Sequence, residues 1–336
     1  MRYRNLGCAG VQVSELCLGA MMFGGATSEE DSVRIIHRAL DEGVNFVDTA
    51  NVYAKGESER IVGKALRDRR DKVVLATKVR VAVGEQPNDA GCSRFHIMRE
   101  VENSLRRLQL DHIDLYYLHQ YDWHTPLEES LRALDDLVRQ GKVRYLGCSN
   151  FYAYQICEGL WLSDRRSLER FVCVQPLYNI VNRDAEVELL PMCRAHGVGA
   201  VVYSPLARGV LTGKYKPGEQ FPEGSRAARG DTRIQQTELR DDSFRIAEAL
   251  SKHAQQKGVP LSQFALAWTL ANANVTSAII GPRTMEQYAD AVQALECKIT
   301  LEDEVLVDGL VPPGEHTGWG FHDPQYPVRG RHAARQ

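Results

Sequence analysis

Short apolar, β-branched runs recur along the chain at intervals that leave room for a helix between each pair. The runs are ELCLG (15–19), NFVDT (45–49), KVVLATK (72–78), IDLYYLH (113–119), VRYLGCS (143–149), FVCVQ (171–175), GAVVYS (199–204) and TSAIIG (276–281). Each has strand length and strand composition. Between them, apolar residues fall three or four apart: Val33, Ile36 and Leu40; Val101, Leu105 and Leu108; Leu127, Leu131, Leu134 and Val138. That period makes helices with one apolar face. Eight strands alternating with helices from about residue 15 to about 295 predict an α/β protein built as a single (β/α)8 TIM barrel. No G-x-G-x-x-G follows any of the strands, which argues against a doubly wound dinucleotide fold.

Local signals agree with this period. Thr27 with Glu30 predicts a capping box, Pro126 opens a helix, and Gly43 and Gly141 follow helix ends. Ahead of the barrel, Arg2 to Leu6 and Val11 to Glu15 read as a β-hairpin turning at 7–10. Two stretches break the rhythm. Residues 214–242 are polar and rich in Gly and Pro, and follow the seventh barrel strand, so they read as a long active-site loop. The expected division is a barrel domain over 1–310 and a tail over 311–336. The tail has four prolines, no helical period, and three aromatics (Trp319, Phe321 and Tyr326) that predict packing on the barrel or at an interface.

Composition narrows the function classes without choosing among them. The 336 residues are 43% hydrophobic and 25% charged, with a formal net charge of −3. Such a surface offers no bulk attraction to nucleic acid or to an anionic membrane. No apolar stretch reaches the 18 or so residues of a membrane span. The eight cysteines lack any C-x-x-C pairing and follow no signal-like start, so a reduced, cytoplasmic protein is expected.

Candidate chemistry sits where a barrel would place it. Asp48, Lys78 and His119 each lie at the end of a strand-like run, and Tyr53 follows Asp48 on the next loop. A carboxylate, an ammonium, an imidazole and a phenol on one rim form a proton-transfer group: the amine can lower the phenol's pKa, and the acid can hold the amine. Isomerisation, aldol chemistry and reduction all remain open to such a group.

GVNFVDTANVYAKGESERIVGKAL (43–66) is followed in order by LATKV, YYLHQYD, GKVRYLGCSN, QPLYN, YSPLARGVLTGKY and AIIGPRTMEQ. This series closely resembles the aldo-keto reductase superfamily over nearly the whole chain, in particular the bacterial branch that also includes potassium-channel β subunits. The resemblance implies reduction of an aldehyde or ketone by hydride from nicotinamide. Tyr53 would be the general acid, Lys78 its neighbour, Asp48 the partner of Lys78, and His119 the group aimed at the substrate carbonyl.

The resemblance also assigns cofactor contacts. Ser149, Asn150 and Gln175 would meet the nicotinamide carboxamide beside Asp48, and Tyr203 would stack on its ring. Ser204, Pro205, Leu206, Arg208, Gly209 and Lys214 would follow the pyrophosphate. Gly281, Arg283, Gln287 and Asp290 would meet the adenosine phosphate, and a fork from Arg283 onto a 2′-phosphate favours NADP(H) over NAD(H). Many relatives have Glu-Asn where this chain has Asp290 and Ala291, so an adenine contact is missing. Phe23, Tyr53, Arg80, His119 and Trp123 are candidates for the substrate pocket.

Two other readings compete. A Schiff-base aldolase would use Lys78 as nucleophile but leaves Gln175 and Tyr203 without a role. A redox-sensing subunit of a membrane channel would keep the same four catalytic residues, and the chain's start only a hairpin ahead of the barrel disfavours it. His119, Gln120, Asp122 and His124 cluster, but no matching cysteine or carboxylate set completes a zinc shell, so no metal is expected. The substrate's identity and the oligomeric state are left open by the sequence.

Overall fold

A computed structural model describes residues 1–216, 218–318 and 323–326. The chain opens with an antiparallel hairpin of β1 (Tyr3–Asn5) and β2 (Gln12–Ser14). Eight strands then follow: β3 (Leu16–Gly19), β4 (Phe46–Asp48), β5 (Val74–Val79), β6 (Ile113–Leu118), β7 (Val143–Ser149), β8 (Phe171–Gln175), β9 (Gly199–Val202) and β10 (Val275–Ile280). They close into a parallel barrel in chain order, with β10 pairing both β9 and β3. Closure satisfies every strand edge inside one sheet. The expected (β/α)8 barrel with its N-terminal hairpin is the observed fold.

The hydrophobic residues divide into two bodies. The larger lies between the strands and the surrounding helices, and holds the apolar faces of 29–41, 94–108 and 127–139. The smaller fills the barrel itself, with Cys17, Phe46, Ala76, Leu115, Tyr117, Cys173 and Val201. Leu6 and Val13 of the hairpin join that inner cluster and are wholly buried. The hairpin therefore plugs the N-terminal end, which leaves chemistry to the C-terminal ends of the strands.

Backbone strain gathers at those ends. Among the described residues with positive φ other than glycine, Ala54, Lys55, Arg80, Asn150, Ser204, Ala207 and Arg208 lie just beyond barrel strands, while Gln109 and Ser167 cap helices. Left-handed backbone at non-glycine positions is costly and persists where surrounding structure enforces it.

Three sequence expectations need correction. Ser28, not Thr27, caps the first barrel helix: its hydroxyl accepts from the Asp31 amide, while Thr27 Oγ1 donates to the Arg283 carbonyl 3.2 Å away. Both residues are N-cap types, and the tertiary contact to Arg283 claims Thr27. The 214–242 stretch is not wholly loop, because a short helix, Thr232–Thr237, forms behind an Asp231 cap, and the helix Asp241–Gln256 begins inside it. The helix was hidden because one turn and a half carries too little period to register. The third correction concerns Phe23 and is described with the site.

The barrel helices are followed by Leu301–Leu310. In the tail, Tyr326 meets Gln120 on the barrel rim, and Asp323 meets Arg233. Trp319 and Phe321 lie outside the described residues. No helix among the described residues is long and apolar enough to cross a membrane.

Candidate active site

Parallel register sets the floor of the site. Asp48 ends β4 opposite Ala76 of β5, Lys78 pairs with Tyr117 of β6, and Ser149 pairs with Gln175 at the ends of β7 and β8. Lys78 is wholly buried and Asp48 nearly so. The Lys78 ammonium is ion-paired with Asp48 Oδ1, donates to the Thr49 carbonyl at 2.7 Å, and reaches the Tyr53 hydroxyl at 3.4 Å. Asp48 Oδ2 accepts from Gln175 Nε2 at 2.9 Å. The lysine is thus held from two sides and aimed at the phenol. The Thr49 carbonyl was invisible to sequence reasoning, since a backbone acceptor leaves no residue signature.

Tyr53 stands on a tight turn that its sequence supports. Ala54 and Lys55 adopt φ of 47° and 55°, and Gly56 follows at 91° before helix 57–66 begins. A Cβ at Gly56 would come within 2.7 Å of Arg107 Cδ. Beneath the turn, Asn51 Nδ2 donates to buried Glu100 at 2.9 Å, and the Thr49 and Ser58 hydroxyls share a bond of 2.8 Å. Buried, hydrogen-bonded polar groups help fix the geometry of what they carry.

Electrostatics then set the protonation states. Burial works against the Lys78 ammonium, yet Asp48 and Tyr53 outweigh it, so its pKa is raised and it stays charged. Burial also raises the Asp48 carboxyl, with Lys78 opposing. For Tyr53, burial raises the phenol pKa, and the Lys78 charge reduces that rise without reversing it. The amine does lower the phenol's pKa, as the sequence suggests, but desolvation outweighs that charge and the net shift is upward. The raised pKa keeps the Tyr53 phenol protonated at neutral pH.

His119 faces Tyr53 edge to face, with ring centroids 5.9 Å apart. Its backbone amide donates to Val79 O at 2.9 Å, and its Nδ1 is buried without a partner. Burial, then the charges of Lys78 and Arg80, hold its pKa well below the ordinary histidine value. A neutral imidazole orients and polarises a carbonyl by hydrogen bonding.

The residues assigned to nicotinamide form one connected network. Asn150 Nδ2 donates to His119 O and Ser149 Oγ, both at 3.0 Å, and its Oδ1 accepts from the Tyr203 hydroxyl at 2.9 Å. Ser149 Oγ donates to Gln175 O at 2.8 Å. Tyr203 is thereby tied to the catalytic side of the rim.

Farther along, Gly209 has φ 102°, and a Cβ there would meet Lys214 Nζ at 3.0 Å. Arg208, Lys214, Arg226, Arg229 and Arg283 gather around this turn. Lys214 has its pKa lowered by burial and then by Arg283, Arg226 and Arg229. Among the described residues, two carboxylates approach this group, each only to 3.9 Å: Asp231 beside Arg226 and Glu238 beside Arg208. Crowded, under-neutralised cations fit a polyanion.

The remaining predicted residues stand as follows. Pro205 is buried and Leu206 half-buried beside the 207–212 turn. Gly281 is exposed, and a Cβ there would touch nothing. Gln287 Oε1 accepts from the Arg283 amide at 2.9 Å, and Asp290 accepts from Gln263 at 2.8 Å, so both are engaged within the fold. Phe23 is wholly buried in the outer core and presents no surface to a pocket. Trp123 is 44% exposed and packs edge-on against Tyr121. Asp122 is occupied by the Cys92 and His124 amides and the Thr125 hydroxyl.

A family model described as the Aldo/keto reductase family matches residues 15–311, the barrel with its rim. The chain belongs to the aldo/keto reductase family. It is 41% identical to an uncharacterised oxidoreductase, YrpG, of Bacillus subtilis, over 94% of this chain and 98% of that one. It is 39% identical to a probable voltage-gated potassium channel subunit β of rice, over 91% and 94% of the two chains. An aldo-keto reductase of Alternaria alternata, AMT2, is 35% identical over 94% of each. Family and oxidoreductase relatives together support carbonyl oxidoreduction with a nicotinamide cofactor.

Proposed function

We propose that this aldo/keto reductase uses NADPH to reduce an aldehyde or ketone to its alcohol, reversibly, with Tyr53 as general acid. The observation that carries this reading is the buried Lys78 ammonium bridging Asp48 and the Tyr53 hydroxyl. When bound, nicotinamide supplies the hydride.

The chain's own residues supply the rest. The substrate carbonyl oxygen is held by Tyr53 and His119, which fixes the carbon for attack. As negative charge grows on that oxygen, the Tyr53 proton moves onto it. The phenolate left behind is stabilised by Lys78, whose charge costs little to hold because Asp48 already neutralises it. Neutral His119 stabilises the same oxygen by hydrogen bonding.

The cofactor's fit is supported by the under-neutralised cations. Lys214 and Arg208 would hold the pyrophosphate, and Arg283 with Arg226 and Arg229 the 2′-phosphate, which favours NADPH over NADH. Tyr203, fixed through Asn150, would stack on the nicotinamide ring.

The test is NADPH and NADH oxidation over an aldehyde and ketone panel, with tryptophan quenching for cofactor binding. Absence of both turnover and NADP(H) binding would sink the reading. The similarity to a channel β subunit favours a second reading, a nicotinamide-binding partner subunit, which stable co-purification with a membrane protein would support.

A further inference from the structure

Arg80 lies two residues beyond Lys78 and has no role in the mechanism above. Its backbone takes φ 131°, and its carbonyl is pinned by the Gly91 amide at 2.8 Å. The rim thus imposes a strained conformation that aims this one side chain. Among the described residues its guanidinium makes a single hydrogen bond, from Nη1 to Gln120 Oε1 at 2.8 Å, and Nε is buried without a partner. Among the described residues no carboxylate comes within 4 Å of it. Asp122 feels its charge from beyond that distance, while its oxygens accept from the Cys92 and His124 amides and Thr125. The field of Arg80 also reaches His119, the residue proposed to orient the carbonyl.

Gln120 extends this positive site. Its amide is fixed at both ends, since Oε1 accepts from Arg80 while Nε2 donates to the Tyr326 hydroxyl at 2.9 Å. Tyr326 accepts there and keeps its own proton to donate. The tail segment carrying it is anchored by the two-pronged bond of Arg233 to Asp323, at 2.8 and 2.6 Å. A charged fork with unused donors and a free phenolic proton therefore stand beside the group that binds the carbonyl.

We propose that Arg80, Gln120 and Tyr326 form a carboxylate-binding subsite, and that the preferred substrates are aldehydes or ketones bearing a carboxylate a few carbons from the carbonyl. This rests on the carbonyl-reductase reading. One guanidinium balances one carboxylate. A phosphate dianion would need a second cation, and nearby Arg233 is already neutralised by Asp323.

The test compares kcat/KM with NADPH for 4-oxobutanoate against butanal, and for 4-formylbenzoate against benzaldehyde. The wild-type protein should favour each carboxylate by about tenfold to a hundredfold, the value of a charge-assisted hydrogen-bonded pair. Arg80→Met should bring both ratios near one, and Arg80→Lys should restore part of the preference. Tyr326→Phe, on the tail and outside the barrel core, should lower the ratios by a smaller factor, and it keeps the test decisive if Arg80→Met fails to fold. Ratios near one in the wild type, ratios that survive Arg80→Met, or a stronger preference for glyceraldehyde 3-phosphate over glyceraldehyde would overturn the subsite. Turnover of butanal without carboxylate preference fails this inference alone, whereas no turnover of any aldehyde fails the reductase reading beneath it.

Discussion

The Lys78 ammonium lies 3.4 Å from the Tyr53 hydroxyl and is ion-paired with Asp48 inside the barrel. The two partners of Lys78 do different work, and substitution separates them. Tyr53→Phe removes only the proton donor, so kcat for carbonyl reduction should fall by about 10²–10⁴-fold while NADPH binding, read by fluorescence quenching, stays intact. Lys78→Met strands the Asp48 carboxylate in the interior and should cost about 3–5 kcal/mol in urea unfolding as well as activity. Activity persisting in Tyr53→Phe would overturn the acid assignment.

His119 gives a pH signature. Its native pKa is depressed by burial and by two neighbouring cations, whereas in the unfolded chain it titrates near 6.5. The unfolded state therefore binds the extra proton first, and the stabilising contribution, complete above pH 6.5, is lost as pH falls below it. Between pH 6.5 and 5.5 the wild type should lose about 1 kcal/mol more than His119→Asn, measured by urea melts. The reduction rate should show no histidine step between pH 6 and 8. A clear step near 6.5 that vanishes in His119→Asn would show the imidazole charging in the working enzyme.

The basic group at the β9 and β10 rim predicts cofactor choice. Arg283→Ala should raise KM for NADPH by about tenfold or more and leave KM for NADH nearly unchanged, because only the former presents a 2′-phosphate. The NADPH effect should shrink at high salt, since Arg283 is only partly buried. Equal losses for both cofactors would move Arg283 from the 2′-phosphate to the shared pyrophosphate.

Barrel closure and the meeting of Asp48, Tyr53, Lys78 and His119 were legible because strand period and strand ends are local signals that a parallel barrel converts directly into position. The sign of the Tyr53 shift was not legible, because it depends on how deeply the phenol is desolvated, a property of the closed rim. The Gln120–Tyr326 bond joins residues 206 positions apart, and no local pattern announces it. Phe23 was misplaced for the same reason: an aromatic on a rim loop reads alike whether it faces the mouth or the core.

Gly209 carries the last prediction. Its φ of 102° strains any other residue, and an added Cβ would press on Lys214 Nζ at 3.0 Å. Lys214 ends in a flexible ammonium, so the clash can be relieved by moving that charge, while the backbone penalty cannot be relieved. Gly209→Ala should therefore destabilise the fold by about 1 kcal/mol, read by thermal melting with no cofactor present. It should also weaken binding of both NADPH and NADH, because the displaced lysine is the one proposed to hold the pyrophosphate they share. A variant with unchanged affinity for both would remove Lys214 from the cofactor site and leave the glycine a purely conformational role.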